Sequence, residues 1–171
     1  MLFNKTFGCP DHSFEKLTDI KPSDITEMGA EAIALDLDRT ATFFASYYVH
    51  QEAKEWVKMM QDAGIPVMIV SNTVKSRAKL LSLQMGNIPC YAPAFKPGTK
   101  GLDAAAEILD TPVEKIAMIG DKLESDILAA NKTGSVAVKV DPLLRDNFAD
   151  KFRQTLPRVA AAALAISIIH R

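Results

Sequence analysis

Short apolar runs that stop on an acidic or small polar residue, with stretches of helical period between them, leave this chain few ways to fold. Ala32-Ile33-Ala34-Leu35 stops at Asp36, and Pro66-Val67-Met68-Ile69-Val70 stops at Ser71. The less marked Ile88-Pro89-Cys90-Tyr91 follows, then Lys115-Ile116-Ala117-Met118-Ile119 ending at Gly120-Asp121, and last Val136-Ala137-Val138-Lys139-Val140. Such runs alternating with helices predict a parallel sheet with crossover connections. Between them, 51–63 carries Ala53, Val57, Met60 and Ala63 at helical spacing with Gly64 as the stop. A second helix is expected from after Ser71 to about Met85, a third over 99–109, and another over 124–133 ended by Gly134. Thr111-Pro112-Val113-Glu114 reads as a capping box and a helix restart.

The order predicts one α/β domain over 1–171: a lead-in at 1–29, a Rossmann-like core at about 30–140, and a helical tail at 141–171 interrupted at Pro157. A chain of 171 residues buries roughly 70% of its unfolded surface, enough for one core. With 48% hydrophobic and 24% charged residues, it is neither disordered nor fibrous. Twenty basic against 21 acidic residues give no field for steering nucleic acid, which excludes it as a partner. Cys9 and Cys90 form no CxxC pair, and His12, His50 and His170 form no zinc motif, which suits a reducing compartment. The start lacks the apolar stretch of a secretory signal, and the longest apolar run, Val159 to Ile169, falls short of the ~20 residues a spanning helix needs. A cytoplasmic protein is expected.

In open α/β sheets ligands bind beyond the carboxyl ends of the strands. There this chain carries Asp36-Leu37-Asp38-Arg39-Thr40, then Ser71-Asn72-Thr73, then Lys96-Pro97, then Gly120-Asp121 followed by Asp126. Phosphoryl transfer needs a nucleophile, a proton donor and positive charge around the moving oxygens. Asp36 suits attack on phosphorus, and Asp38 suits protonation of the departing oxygen followed by activation of water. Asp36, the backbone carbonyl of Asp38, and Asp121 offer the oxygens that Mg²⁺ requires, with Asp126 as a further ligand or a helper. Lys96 offsets phosphate charge, and Thr40, Ser71 and Asn72 are expected among the groups holding phosphate oxygens. Plainer readings exist for three of these: Asp126 as a helix-dipole acid, Ser71 as a helix cap, and Lys96 as a surface lysine.

The order DxDxT, Ser, Lys, GDxxxxD resembles the four motifs of the haloacid dehalogenase (HAD) superfamily of phosphohydrolases. The resemblance spans roughly Ala30 to Val140 and implies a Mg²⁺-dependent phosphomonoesterase working through an aspartyl-phosphate. Thr40 and Ser71 are separated by 71 − 40 − 1 = 30 residues, and Ser71 and Lys96 by 96 − 71 − 1 = 24. Neither gap admits an inserted cap domain, so the resemblance is to the capless type, whose open site suits large or surface-bound phosphoesters. Pro22, the Val70-Ser71-Asn72 triplet, Lys96-Pro97 and the segment from Gly120 to Asn131 are similar to the YqeG-like phosphatases. That family is related to the mitochondrial phosphatidylglycerophosphate phosphatases, which implies a lipid phosphomonoester as substrate. The chain departs at Arg39, where Asn or Gly is usual, at Thr73, where a second Asn is common, and at Lys122, where Gln is common.

Residues 41–50 hold four aromatics in the flap after the first motif. Core packing or a subunit contact is the expectation there, with contact to an apolar substrate as the alternative. The tail from Val159 to Ile169 is apolar nearly all round. It predicts burial against the sheet or a second subunit of a homo-oligomer, with peripheral contact at the inner face of a membrane as the alternative. Two functions of other classes compete with the enzyme: a non-catalytic HAD-fold scaffold in which Arg39 fills the phosphate pocket, and a phospho-accepting receiver domain. The late GDxxxxD disfavours the receiver. Gly98-Thr99-Lys100-Gly101 lacks the P-loop pattern.

Overall fold

A computed structural model describes residues 8–143. The expected helical segments around Pro157 and the apolar run from Val159 lie outside the described residues.

Strands β1 (His12–Phe14), β2 (Ala32–Leu35), β3 (Val67–Val70), β4 (Cys90–Tyr91), β5 (Ile116–Gly120) and β6 (Val136–Val140) form one sheet in the order β1-β6-β5-β2-β3-β4. Every pairing is parallel. Helices α1 (Pro22–Glu27), α2 (Gln51–Asp62), α3 (Lys75–Gln84), α4 (Lys100–Ile108) and α5 (Leu128–Thr133) accompany it. The central strands β2, β3 and β5 are buried at every residue, which is why they read as unbroken apolar runs.

Successive strand residues face opposite ways and so build two cores. Ile33, Leu35, Val67, Ile69, Ala117 and Ile119 join Trp56, Val57, Met60 and Leu81 of α2 and α3 on one face. On the other, Ala32, Ala34, Met68, Val70, Ile116 and Met118 join Leu102 and Ala105 of α4 and Ala129 and Ala130 of α5. The second face is rich in small residues, so helices approach closely. At Gly101 of α4 a Cβ would stand 2.6 Å from a Val70 methyl carbon.

The sheet carries one strand more than expected. β1 is three residues long and mostly exposed, so it has no apolar pattern to announce it. Long-range bonds hold it: Asp11 and Ala137 exchange a backbone bond and a backbone-to-carboxylate bond, both of 2.8 Å. The expected restart at Thr111 is a single 3₁₀ turn over Val113–Lys115 with no side-chain cap bond. The Thr111 hydroxyl instead donates back to Leu109 O at 3.0 Å, and the chain passes directly into β5. The helix expected at 124–133 begins as a π turn, Leu123–Ile127, before α5, and it ends as foreseen at Gly134 with φ +82°.

The chain runs from β2 to β3 and β4 on one side and returns to β5 and β6 on the other. The order therefore reverses between β2 and β5, the switch point at whose carboxyl ends open α/β sheets bind ligands. Between β2 and β3 lie the flap and α2, and between β3 and Lys96 lie α3 and β4. Neither connection holds an additional domain.

Candidate active site

Parallel pairing of Leu35 with Ile119 brings the end of β2 beside the end of β5, and Asp36 N donates to Ile119 O at 3.0 Å. Asp36 and Asp121 thus emerge side by side at the switch point. Both are buried, and so is Asp126. Their carboxylate oxygens lie within 4.8 Å of one another.

The π turn brings Asp126 inward: its N–H bonds back to Lys122 O at 3.0 Å, and its Oδ2 accepts from Lys122 N at 3.0 Å. Gly120 makes the approach feasible, because a Cβ there would overlap the Asp126 carboxylate. π turns of this kind recur at functional sites. Lys96, with its side chain 1% exposed, enters from the loop after β4. Its Nζ bonds Asp36 Oδ1 at 2.8 Å and Val70 O at 2.7 Å, and pairs with Asp126 Oδ1 at 2.6 Å. A lone buried lysine would be unstable as a cation, and the two carboxylates supply its counter-charge.

Burial pushes the Asp36 carboxyl up from 3.8 to about 6, with Lys96 pulling it back and Asp126 adding to the rise. For Lys96 burial works against the charge, but Asp36 and Asp126 outweigh it and raise the ammonium above its ordinary value. Asp121 is also raised, chiefly by burial, with Arg39 opposing the rise and Asp126 reinforcing it. Arg39 Nε stands 3.0 Å from Asp121 Oδ2. The other oxygen, Asp121 Oδ1, is buried without a hydrogen-bond partner. Three clustered carboxylates with an unsatisfied oxygen form a hard donor set that fits a divalent cation.

The remaining residues singled out from the sequence divide. Asn72 and Lys96 exchange two bonds, Nδ2 to Lys96 O at 2.9 Å and Lys96 N to Oδ1 at 2.7 Å, so the Asn72 amide holds the lysine's backbone. Ser71 is buried at the end of β3, its backbone bonded to Tyr91 and Ala94. Thr40 lines a small cavity of about 40 Å³ with Lys16, His50 and Leu143, whose lining includes none of Asp36, Asp121 and Asp126, and its hydroxyl is buried without a hydrogen-bond partner. The Asp38 side chain is also outside the carboxylate group. It is clasped by Arg77, NH2 to Oδ1 at 2.8 Å and NH1 to Oδ2 at 2.9 Å, and Oδ1 accepts from Ala45 N at 2.8 Å.

Sequence reasoning missed Arg77. Its guanidinium also donates to Thr73 Oγ1 and to Ser46 O, both at 2.9 Å, joining the DxDxT loop, the flap and the loop after β3. One signal was available. Arg77 shares its helical face with Ala78 and Leu81, where an arginine is out of place unless it is paired. The flap departs from the core packing expected of it: Phe44, Tyr47 and Tyr48 are exposed, and Phe43 is half-buried edge-on against His50.

The model of haloacid dehalogenase-like hydrolases matches residues 10–134, most of the chain. The chain belongs to that family. Within it, the "Probable phosphatase YqeG" of Bacillus subtilis is 32% identical over 161 residues, 94% of this chain and 93% of that one. The YqeG-like resemblance therefore holds over nearly the full length, and the protein is a HAD-type phosphatase. A phosphoglycolate phosphatase of Neisseria meningitidis is 28% identical over 99 residues, 53% of this chain and 42% of the relative. Among solved structures, an uncharacterized protein from Listeria monocytogenes superposes with a TM-score of 0.54 at 22% identity, over 68% of this chain and 83% of that one. It shares the HAD fold.

Proposed function

We propose that the protein hydrolyses phosphomonoesters with Mg²⁺ through an aspartyl-phosphate on Asp36. The observation that carries this reading is the buried contact of Lys96 with both Asp36 and Asp126 beside the unsatisfied Asp121 oxygen. Lys96 engages Asp36 Oδ1, so Oδ2 is the oxygen assigned to attack. It forms a bond to phosphorus as the ester P–O bond breaks. Turning out of the Arg77 clasp, Asp38 in its protonated form gives its proton to the departing oxygen and then removes one from the water that cleaves the acyl phosphate, restoring Asp36 and releasing phosphate. Asp36, Asp121 and Asp126, with the Asp38 backbone carbonyl, would hold Mg²⁺. When bound, the ion neutralises charge on the phosphoryl oxygens. Lys96 adds fixed positive charge, and Asn72 keeps Lys96 in place. Thr40 and Ser71 are assigned to the loops that bind phosphate.

The substrate proposed is a lipid phosphomonoester, phosphatidylglycerophosphate, reached by peripheral contact with the membrane. The connections without an inserted domain and the exposed Phe44, Tyr47, Tyr48 and Phe95 support it. A site without a cap gains little by enclosing a small molecule, so affinity must come from contacts outside the phosphate pocket. A general small-molecule phosphatase is the alternative. No described helix is long and apolar enough to cross a membrane.

The test is turnover of an aryl phosphate by the purified protein. Mg²⁺-dependent hydrolysis lost on chelation, with a hydroxylamine-sensitive phosphoenzyme absent from Asp36→Asn, is the expected result. Failure to turn over any phosphoester with Mg²⁺, Mn²⁺ or Co²⁺ would favour the scaffold reading.

A further inference from the structure

Arg39 follows Asp38 in the first motif, and its backbone is unusual for a long side chain. Its φ is +65°, in the left-handed region that suits glycine or asparagine and not a long side chain. The backbone is fastened on both sides, with Arg39 N donating to Thr42 O at 2.7 Å and Leu143 N donating to Arg39 O at 2.8 Å. From there the side chain reaches from the end of β2 to the end of β5 and sets Nε 3.0 Å from Asp121 Oδ2.

The contact is one of charge alone. Arg39 Nε is buried without an aligned hydrogen-bond acceptor, and Asp121 Oδ1 has no partner. Asp121 is 2% exposed at its side chain, whereas the Arg39 side chain is 36% exposed and has solvent on one side to move into. Two cations are in direct contact with Asp36, Asp121 and Asp126, namely Lys96 and Arg39, and Lys122 adds its charge at Asp121. Of the two in contact, Lys96 is enclosed between two carboxylates, and Arg39 has room to leave. A divalent ion among these carboxylates would repel a guanidinium in contact with one of them at short range and low dielectric.

We propose that Arg39 is an internal counter-ion of Asp121 that competes with the metal, and that once displaced it becomes a ligand for the substrate's phosphoryl oxygens. The inference rests on the Mg²⁺ reading above. Metal and phosphate binding become coupled through it: Arg39 weakens the first in the absence of phosphate and strengthens the second once the metal is seated. A guanidinium offers forked donors matched to phosphate oxygens, which a lysine at this position would not.

The test is calorimetric titration of the protein with Mg²⁺ alone, then of the Mg²⁺-loaded protein with inorganic phosphate. Arg39→Gly suits the positive φ and leaves the thermal midpoint intact or higher. It is expected to tighten Mg²⁺ about tenfold and to weaken phosphate by a similar factor, in the range usual for coupled sites. Arg39→Lys should recover only part of the phosphate affinity. Equal or weaker Mg²⁺ binding by Arg39→Gly would overturn the proposal and make Arg39 an orienting partner of Asp121 instead. Tighter Mg²⁺ with unchanged phosphate affinity would overturn its second half. A wild-type protein that binds no Mg²⁺ would defeat the metal reading itself, an outcome distinct from both.

Discussion

At the scale of single residues, the site spends fold stability on charge. Asp36 titrates near 6 when folded against 3.8 when free, so the folded state holds its proton over that interval and the unfolded state does not. The Asp36 contribution is therefore fully present below about pH 4 and is lost as pH rises through about 6. In metal-free protein, the thermal midpoint of Asp36→Asn relative to wild type should rise between pH 4 and 6.5 and then level off. Scanning calorimetry across that range checks it. Lys96, raised above its ordinary value, contributes only a constant offset there. Arg77 supplies a second prediction. Because it clasps both Asp38 oxygens, Arg77→Lys should slow alkyl phosphates more than nitrophenyl phosphate, by roughly 10²-fold if proton donation is largely lost. The double variant with Asp38→Asn should be little worse than Asp38→Asn alone, read from kcat/KM for both leaving groups. Additive losses would separate Arg77 from Asp38.

The elements place these residues through two local devices, the end of β5 and the π turn behind it. Gly120 is the last residue of β5, and the Asp126 carboxylate lies directly over it. Gly120→Ala should therefore push the π turn outward and separate Asp126 from Lys96. A stability loss of about 1–3 kcal/mol is expected from the forced shift. Mg²⁺ affinity should fall with it, as measured by denaturant unfolding and by titration of the metal. The loop after β3 acts similarly for Lys96, whose backbone is held by the two Asn72 bonds. Asn72→Ala should lower kcat while leaving overall stability within about 1 kcal/mol, since a partly exposed amide is cheaper to lose than a buried one.

At the scale of the molecule, neither connection that leads into the site carries a domain among the described residues, and exposed aromatics stand in the flap after the first motif. Phe43 packs against His50, so the surface residues to alter are Phe44 and Tyr47. Replacing both by Ser should lower hydrolysis of phosphatidylglycerophosphate in mixed micelles and leave glycerol phosphate turnover nearly unchanged. Equal losses on both substrates, or a wild-type preference for a soluble sugar phosphate, would count against the lipid reading.

The parallel sheet, its central strands and the four polar strand ends were legible in the sequence, because buried strands need unbroken apolar runs and ligands gather where such strands stop. The family followed from the same residues in the same order. Tertiary structure alone decided the rest. β1 forms by pairing with a strand more than 120 residues away, a contact that three half-exposed residues do not encode locally. The clasp of Arg77 on Asp38 joins residues 39 apart. Asn72, read as a phosphate ligand, spends its amide on the Lys96 backbone 24 residues on. Sequence spacing assigns a residue to the end of a strand, but the direction of its side chain depends on which partners the fold brings within reach. A buried charge or amide takes the nearest complementary group, since leaving it unpaired is the costlier state.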